Sequence, residues 1–119
     1  MSSHKELKVY QQAMNLVTEI YQLTKSFPVE EKYGLTSQIR RAAISIPSNI
    51  AEGAARKNTK EYIQFLYHSL GSAAEIETQL DLSKRLGFID NIETINNNNS
   101  EIIYMLTGLI KSLKRKIEK

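Results

Sequence analysis

Histidines and carboxylates are the side chains with which this chain could hold a metal ion or transfer protons, but they are not spaced for either task. His4 and His68 are the only histidines, and neither belongs to an HExxH or ExxH pair that would place two ligands on one helix face. Glu75 and Glu77 lie two positions apart, so on a helix they point in different directions and cannot work as a carboxylate pair. We therefore expect no metal site, no cofactor and no catalytic residue.

Motifs for nucleophilic catalysis and for phosphate binding by a loop are also missing. The sequence has no cysteine, which excludes thiolate catalysis, disulfides and cysteine-based zinc or iron–sulfur sites. It contains no GxSxG, P-loop or GxGxxG pattern. The N-terminal residues lack the apolar run of a signal peptide, and no segment reaches transmembrane length. We expect a cytoplasmic protein that is not an enzyme and does not contact a membrane.

Helices must position the remaining polar side chains, because apolar residues recur at steps of three and four while glycine and proline are scarce. The pattern predicts helices over residues 6–26, 36–54, 60–86 and 92–117. Pro28 ends the first helix, Asn58 or Thr59 caps the start of the third, and Gly87 ends the third in a left-handed conformation. The stripes expected to face the core are Tyr10, Met14, Val17, Tyr21 and Thr24 in the first helix, Ile39, Ala43, Ile46 and Ile50 in the second, and Tyr62, Leu66, Ser69, Ala73, Ile76 and Leu80 in the third.

The fourth helix passes through INNNNS, a run that resembles a polar loop. Its seam nevertheless follows the alternating steps of a heptad repeat, namely Ile92, Ile95, Asn99, Ile102, Leu106, Leu109 and Leu113. We therefore predict a helix through the asparagines, and the alternative is a loop until Ser100 caps a shorter helix. Four long helices with short connections predict an all-α fold, a single domain over residues 1–119 packed as an antiparallel up-down-up-down four-helix bundle.

The second and third helices lack the charged outer face of an ordinary surface helix. With Ile39 and Ile46 toward the core, the opposite side of the second helix is small and half apolar. The third has no Asp, Glu, Lys or Arg over residues 62–74, where a monomer would normally carry them. We expect a closed homo-oligomer in which these faces meet another subunit, and the alternative is a thick monomer core. The expected interface residues are Ile44, Ser45, Ser48, Ala51, Gly71 and Ala74.

Pro47 lies inside the second helix, where it removes one backbone hydrogen bond and crowds the carbonyl of Ala43. We expect a kink or a short break there. Asn49 and Glu52 have the spacing of a capping box that would restart the helix, which makes them structural. The alternative is a polar cluster of Arg41, Asn49 and Glu52 at a subunit interface or ligand site.

Lysine and arginine gather at one end of the predicted bundle, which we call the basic end. This end combines the N-terminus, the loop after the second helix and the C-terminus, with ten basic residues against four glutamates, although the whole chain carries only +3. In a ring of subunits it would form a positive annulus suited to a phosphate backbone; the alternative is that the lysines favour the helix dipole and solubility. The candidate nucleic-acid-binding residues are Lys5, Lys8, Arg56, Lys57, Lys60, Lys111, Lys114, Arg115 and Lys116.

A family resemblance is carried by YGLTSQIRRAAISIPSNIAEGAARKNTKEYIQFLYHSLGSAAEIETQL at residues 33–80, and LGFI at residues 86–89 and GLIKSL at residues 108–113 also fit it. They resemble the four-helix-bundle proteins encoded in intervening sequences of bacterial 23S ribosomal RNA genes. The chain is also similar to the accessory proteins of diversity-generating retroelements, which form basic pentameric barrels and act with a reverse transcriptase and nucleic acid. The motif positions are Arg40, Arg41, Pro47, Asn49, Glu52 and Gly53, and the resemblance assigns no activity to them.

The resemblance implies a bundle that assembles as a closed homopentamer. Together with the basic end, it leads us to expect a non-enzymatic oligomer that binds the backbone of RNA or DNA. The alternative is a structural scaffold or adaptor that recognises a protein partner without binding nucleic acid.

Overall fold

Four α-helices and no strands make up the part of the chain that the computed structural model describes, residues 3–118. The helices are α1 (Lys8–Thr24), α2 (Leu35–Ala54), α3 (Thr59–Arg85) and α4 (Glu93–Glu118), and short 3-10 turns at His4–Glu6 and Val29–Glu31 precede α1 and α2. They form a rod of 50 × 21 × 20 Å. The predicted all-α class and the four helices are confirmed. None of the helices within residues 3–118 is long and apolar enough to span a bilayer.

The ends of α3 follow the capping signals in the sequence. The Oδ1 atom of Asn58 accepts a hydrogen bond from the backbone N–H of Glu61 at 2.9 Å, which satisfies one of the free donors of the first turn. At the other end Gly87 has a φ of 78°. The N–H groups of Gly87 and Phe88 donate to the carbonyls of Lys84 and Ser83, a Schellman motif. Both predicted caps are confirmed.

The core stripe predicted for α2 is confirmed. The one predicted for α1 is confirmed at Thr24, which is buried, and wrong at Met14 and Tyr21, while Tyr10 and Val17 are half-buried against the core. All four predicted residues of α2 are fully buried, but α1 buries Val9, Ala13, Leu16 and Ile20, which lie one position before the predicted stripe. The side chains of Met14 and Tyr21 are 41% and 36% exposed. The helix has two neighbouring apolar stripes, and the aliphatic one occupies the core because it brings no hydroxyl group that would need a partner.

The helix α4 begins at Glu93 and runs through the asparagines, so the alternative of a loop until Ser100 is wrong. Asn99 is fully buried, and its Nδ2 donates to the carbonyl of Ala73 in α3 at 2.9 Å. Asn98 donates to both carboxylate oxygens of Glu19 in α1, at 2.8 and 3.1 Å. Two side chains of the polar run therefore have partners on the neighbouring helices, whereas the Oδ1 atoms of Asn96 and Asn99 are buried without a hydrogen-bond partner within residues 3–118.

No break occurs at Pro47, and α2 continues through it. Asn49 does not cap a new helix; its Nδ2 donates to the carbonyl of Ser45 at 2.8 Å, so the predicted capping box is wrong. Beside the proline, Ser69 Oγ of α3 donates to the carbonyl of Ile46 at 2.9 Å. Packing between α1 and α3, with Ile46 and Ile50 fully buried, keeps the helix continuous across the missing hydrogen bond.

Candidate functional site

All nine residues proposed for the basic end are exposed. Within residues 3–118, only Arg56 among them forms an ion pair, with Glu52 at 3.6 Å. The other eight have no carboxylate oxygen within 4.0 Å in this part of the chain. Their charges face solvent, the arrangement that an anionic partner requires, because a neutralised lysine offers little to a phosphate.

Two of these cations rest on aromatic rings of α3. The Nζ atom of Lys114 lies 5.2 Å from the ring centroid of Tyr67, and the Cζ atom of Arg56 lies 4.7 Å from that of Phe65. Cation–π contact orients the side chain and leaves its N–H groups available. The loop after α2, through Arg56, and the C-terminal part of α4, through Lys114, therefore contact the same stretch of α3. Sequence reasoning missed both rings, although their positions before and after Leu66 could have suggested a place on the rim of the core.

The basic residues near the N-terminus and those near the C-terminus also lie close together. Lys8 of α1 and Lys111 of α4 line one cleft of about 550 Å³. Lys5 is tied to α1 through its carbonyl, which accepts a hydrogen bond from Gln11 Nε2 at 2.9 Å. The remaining candidates are exposed, and their side chains form no hydrogen bond, ion pair or cation–π contact within residues 3–118, namely Lys57, Lys60, Arg115 and Lys116.

A second candidate site is a groove of about 680 Å³ along α2. It brings together Arg41, Asn49 and Glu52, the alternative polar cluster, beside Tyr21 and Tyr33. Within the described chain, however, Glu52 pairs with Arg56 and Asn49 bonds to its own helix. Arg41 is thus the one member whose side chain forms no such contact there.

The residues proposed as an oligomer interface divide between two surfaces. Ile44, Ser48 and Ala51 line a shared cavity with Tyr10 and Met14 of α1. Gly71 and Ala74 are exposed on α3, while Ser45 turns toward α3 and its Oγ bonds to Ser72 Oγ within the chain. The α1 side of this surface was missed, although the second apolar stripe of α1 was the signal that could have revealed it.

Metal-binding side chains do not cluster in the part of the chain that the structure describes. Residues 3–118 contain no set of three or more His, Cys, Asp or Glu side chains that could hold a metal ion. Burial raises the pKa of Tyr62 above its usual value of about 10. The exposed cations of the basic end are therefore the groups through which this surface could bind a ligand.

Comparison with known proteins identifies the family. The model of the 23S rRNA-intervening sequence protein family matches residues 5–108. The chain belongs to this family. It also matches the crystal structure of a protein of unknown function from the S23 ribosomal protein family of Bacteroides thetaiotaomicron, with a TM-score of 0.80 and 29% sequence identity over 87% of this chain and 98% of that chain. No match is found among curated proteins.

Several motif positions of this 23S rRNA-intervening sequence protein have packing roles. Arg40 donates from Nε to Thr24 Oγ1 at 2.8 Å, and its Cζ atom lies 4.4 Å from the ring centroid of Tyr21. Gly53 is buried where α2 crosses α3, and a Cβ atom added there would lie 2.8 Å from Phe65 Cβ and 2.9 Å from Tyr62 Cδ1. These contacts explain why an arginine and a glycine stand at those positions without any activity being assigned to them.

Proposed function

We propose that this member of the family is a non-enzymatic homopentamer of antiparallel up-down-up-down bundles that binds the phosphate backbone of RNA or DNA through its basic end. The observation that carries the proposal is the set of eight exposed cations with no carboxylate partner in the described chain. Lysine and arginine that contact phosphates release counterions, which supplies affinity without sequence preference. The pentameric number rests on the family resemblance.

The antiparallel arrangement is supported by the order of contacts between consecutive helices. Lys114, late in α4, lies over Tyr67, early in α3, whereas Asn99, early in α4, bonds to the later Ala73. The same reversal holds between α2 and α3, where Ser69 and Ser72 contact Ile46 and Ser45 respectively. This arrangement would bring the basic segments to one end of the rod.

Binding is tested with a fluorescent structured RNA and a matched duplex DNA across a salt series. Changing Lys114, Arg115 and Lys116 to glutamine is expected to weaken binding and to reduce the slope of log K against log salt by about 1 for each phosphate that is no longer neutralised. The matched control changes Lys25, Lys32 and Lys84, which removes the same charge outside the basic end. Equal weakening in both triple variants would contradict a localised site. No wild-type binding at low salt, with the oligomer intact, would favour the protein-scaffold alternative.

Self-association is supported by the uncharged cavity that Ile44 lines with Tyr10 and Met14, at whose edge Ile44 is 42% exposed. Ile44→Arg is expected to place a charge in the subunit contact and so to split the oligomer, while the helix content in circular dichroism stays unchanged. The mass from light scattering is the readout. Val29→Arg is the control, because Val29 is 81% exposed and lies outside the proposed interface. An unchanged mass for Ile44→Arg would contradict this interface.

A further inference from the structure

The cleft between α1 and α4 contains a large aromatic side chain that the fold does not use. Tyr104 is 80% exposed and makes no hydrogen bond or ring contact within residues 3–118. An exposed aromatic ring needs no explanation alone, but this one stands in a cleft of about 550 Å³ whose charged members are both lysines, Lys8 and Lys111. The rest of the lining is uncharged and consists of Leu7, Val9, Met105, Thr107, Gly108 and Leu109.

Gly108 is a second feature of the cleft that the fold leaves unexplained. It lies inside α4, where glycine destabilises a helix relative to alanine. A Cβ atom added there would have no heavy atom within 4 Å apart from the local helix backbone, so close packing does not require a glycine. Position 108 follows Tyr104 by one turn on the same face of α4. The missing side chain leaves open space on the turn of α4 that follows Tyr104.

We infer that this cleft binds an unpaired base of single-stranded nucleic acid, an inference that rests on the proposed function. The base would stack on Tyr104 in the space above Gly108, with Lys8 and Lys111 near the flanking phosphates. Stacking on an aromatic ring serves every base and is independent of sequence. A paired base lies inside the duplex stack and cannot reach the ring unless it is flipped out. The basic end therefore prefers single strands.

Charge and position both fit this occupant. The cleft holds two cations and no acid, so it complements a phosphate-linked chain better than a protein surface of mixed charge. Its apolar floor, formed by residues such as Val9 and Leu109, suits the flat face of a base. The proposed subunit interface lies on α2 and α3 and borders Tyr10 and Met14 of α1, and none of its residues lines the cleft between α1 and α4.

The test compares Tyr104→Phe, Tyr104→Ser and Gly108→Leu with the wild type on a single-stranded oligonucleotide and on the duplex of the same sequence. Tyr104→Ser and Gly108→Leu are expected to weaken single-strand binding roughly tenfold, through loss of stacking and through filling of the cleft. Duplex binding should change by less than about twofold, because phosphate contacts carry it. Tyr104→Phe retains the ring and should bind like the wild type. An oligonucleotide with abasic sites should bind the wild type as weakly as the intact strand binds Tyr104→Ser.

The outcomes separate this inference from the proposed function. If the wild type binds both forms and Tyr104→Ser binds the single strand as tightly as the wild type does, the base-stacking cleft is overturned while backbone binding stands. If the wild type binds neither form at low salt, the proposed function fails and the inference fails with it. Circular dichroism and mass measurements on each variant ensure that a loss of binding is not a loss of fold or of assembly. Ribose and deoxyribose versions of the strand then identify the preferred nucleic acid.

Discussion

Gly53→Ala is expected to lower the free energy of unfolding by about 2 kcal/mol, although alanine is the better helix former. The added Cβ atom would lie 2.8 Å from Phe65 Cβ and 3.2 Å from the carbonyl oxygen of Tyr62. These atoms lie at or next to the backbone of α3, so they cannot yield by a simple rotation of a side chain. The helices α2 and α3 must move apart, which loosens core packing on both sides of the crossing.

Gly108→Ala is the matched control for this substitution. Gly108 also lies within a helix and outside the proposed subunit interface, and a Cβ atom there would meet nothing within 4 Å. The control should raise the stability of the folded chain by roughly 0.5–1 kcal/mol, since only the helix propensity changes. Urea denaturation followed by circular dichroism, at one fixed protomer concentration, measures both differences. The crossing would not need its glycine if Gly53→Ala proved as stable as the wild type.

Arg40→Ala is expected to destabilise the protein by about 2 kcal/mol, because it removes charge-assisted hydrogen bonds between α2 and the end of α1. Its guanidinium group donates to Thr24 Oγ1 at 2.8 Å and to the carbonyl of Tyr21 at 3.5 Å. It also covers the ring of Tyr21. Thr24 is buried, so the substitution leaves one of its polar contacts unmade at the edge of the core.

Arg41→Ala supplies a control with the same change of charge at the adjacent position. Arg41 is exposed and forms no ion pair within residues 3–118, so its replacement should alter stability by less than about 0.5 kcal/mol. Arg40→Lys should recover little, since an ammonium group cannot stack and donate as the planar guanidinium does. Equal stabilities for Arg40→Ala and Arg41→Ala in denaturant melts would show that the contacts of Arg40 with Thr24 and Tyr21 add nothing to the free energy of unfolding.

Periodicity predicted the parts of the fold that depend on one helix at a time. The steps of three and four from Ile92 to Leu113 identified α4 despite its asparagines, and Asn99 is buried in the seam as predicted. The stripe of α1 was wrong at Met14 and Tyr21 because two apolar stripes lie side by side, and the choice between them depends on how α2 and α4 are placed. The break at Pro47 failed for a similar reason, since local chemistry omits the packing that keeps α2 continuous.

The candidate site was predictable in its charges and not in its aromatic groups. Lysine and arginine at a bundle end are exposed almost wherever their helices lie, so their accessibility followed from topology alone. The place of Tyr67 beneath Lys114 depends on the rotation of α3 relative to α4. The cleft around Tyr104 depends on the gap between α1 and α4, and neither geometry is encoded in residue spacing.

The asparagines of α4 also bear on how the bundle opens. Asparagine is a poor helix former, so residues 96–99 depend on the bonds from Asn98 to Glu19 and from Asn99 to Ala73. Once α4 separates from α1 and α3, little in this segment favours a helix. We therefore expect its amide protons to be protected from exchange with solvent by tertiary contact, and to exchange through a sub-global opening in which the first half of α4 undocks and unwinds together.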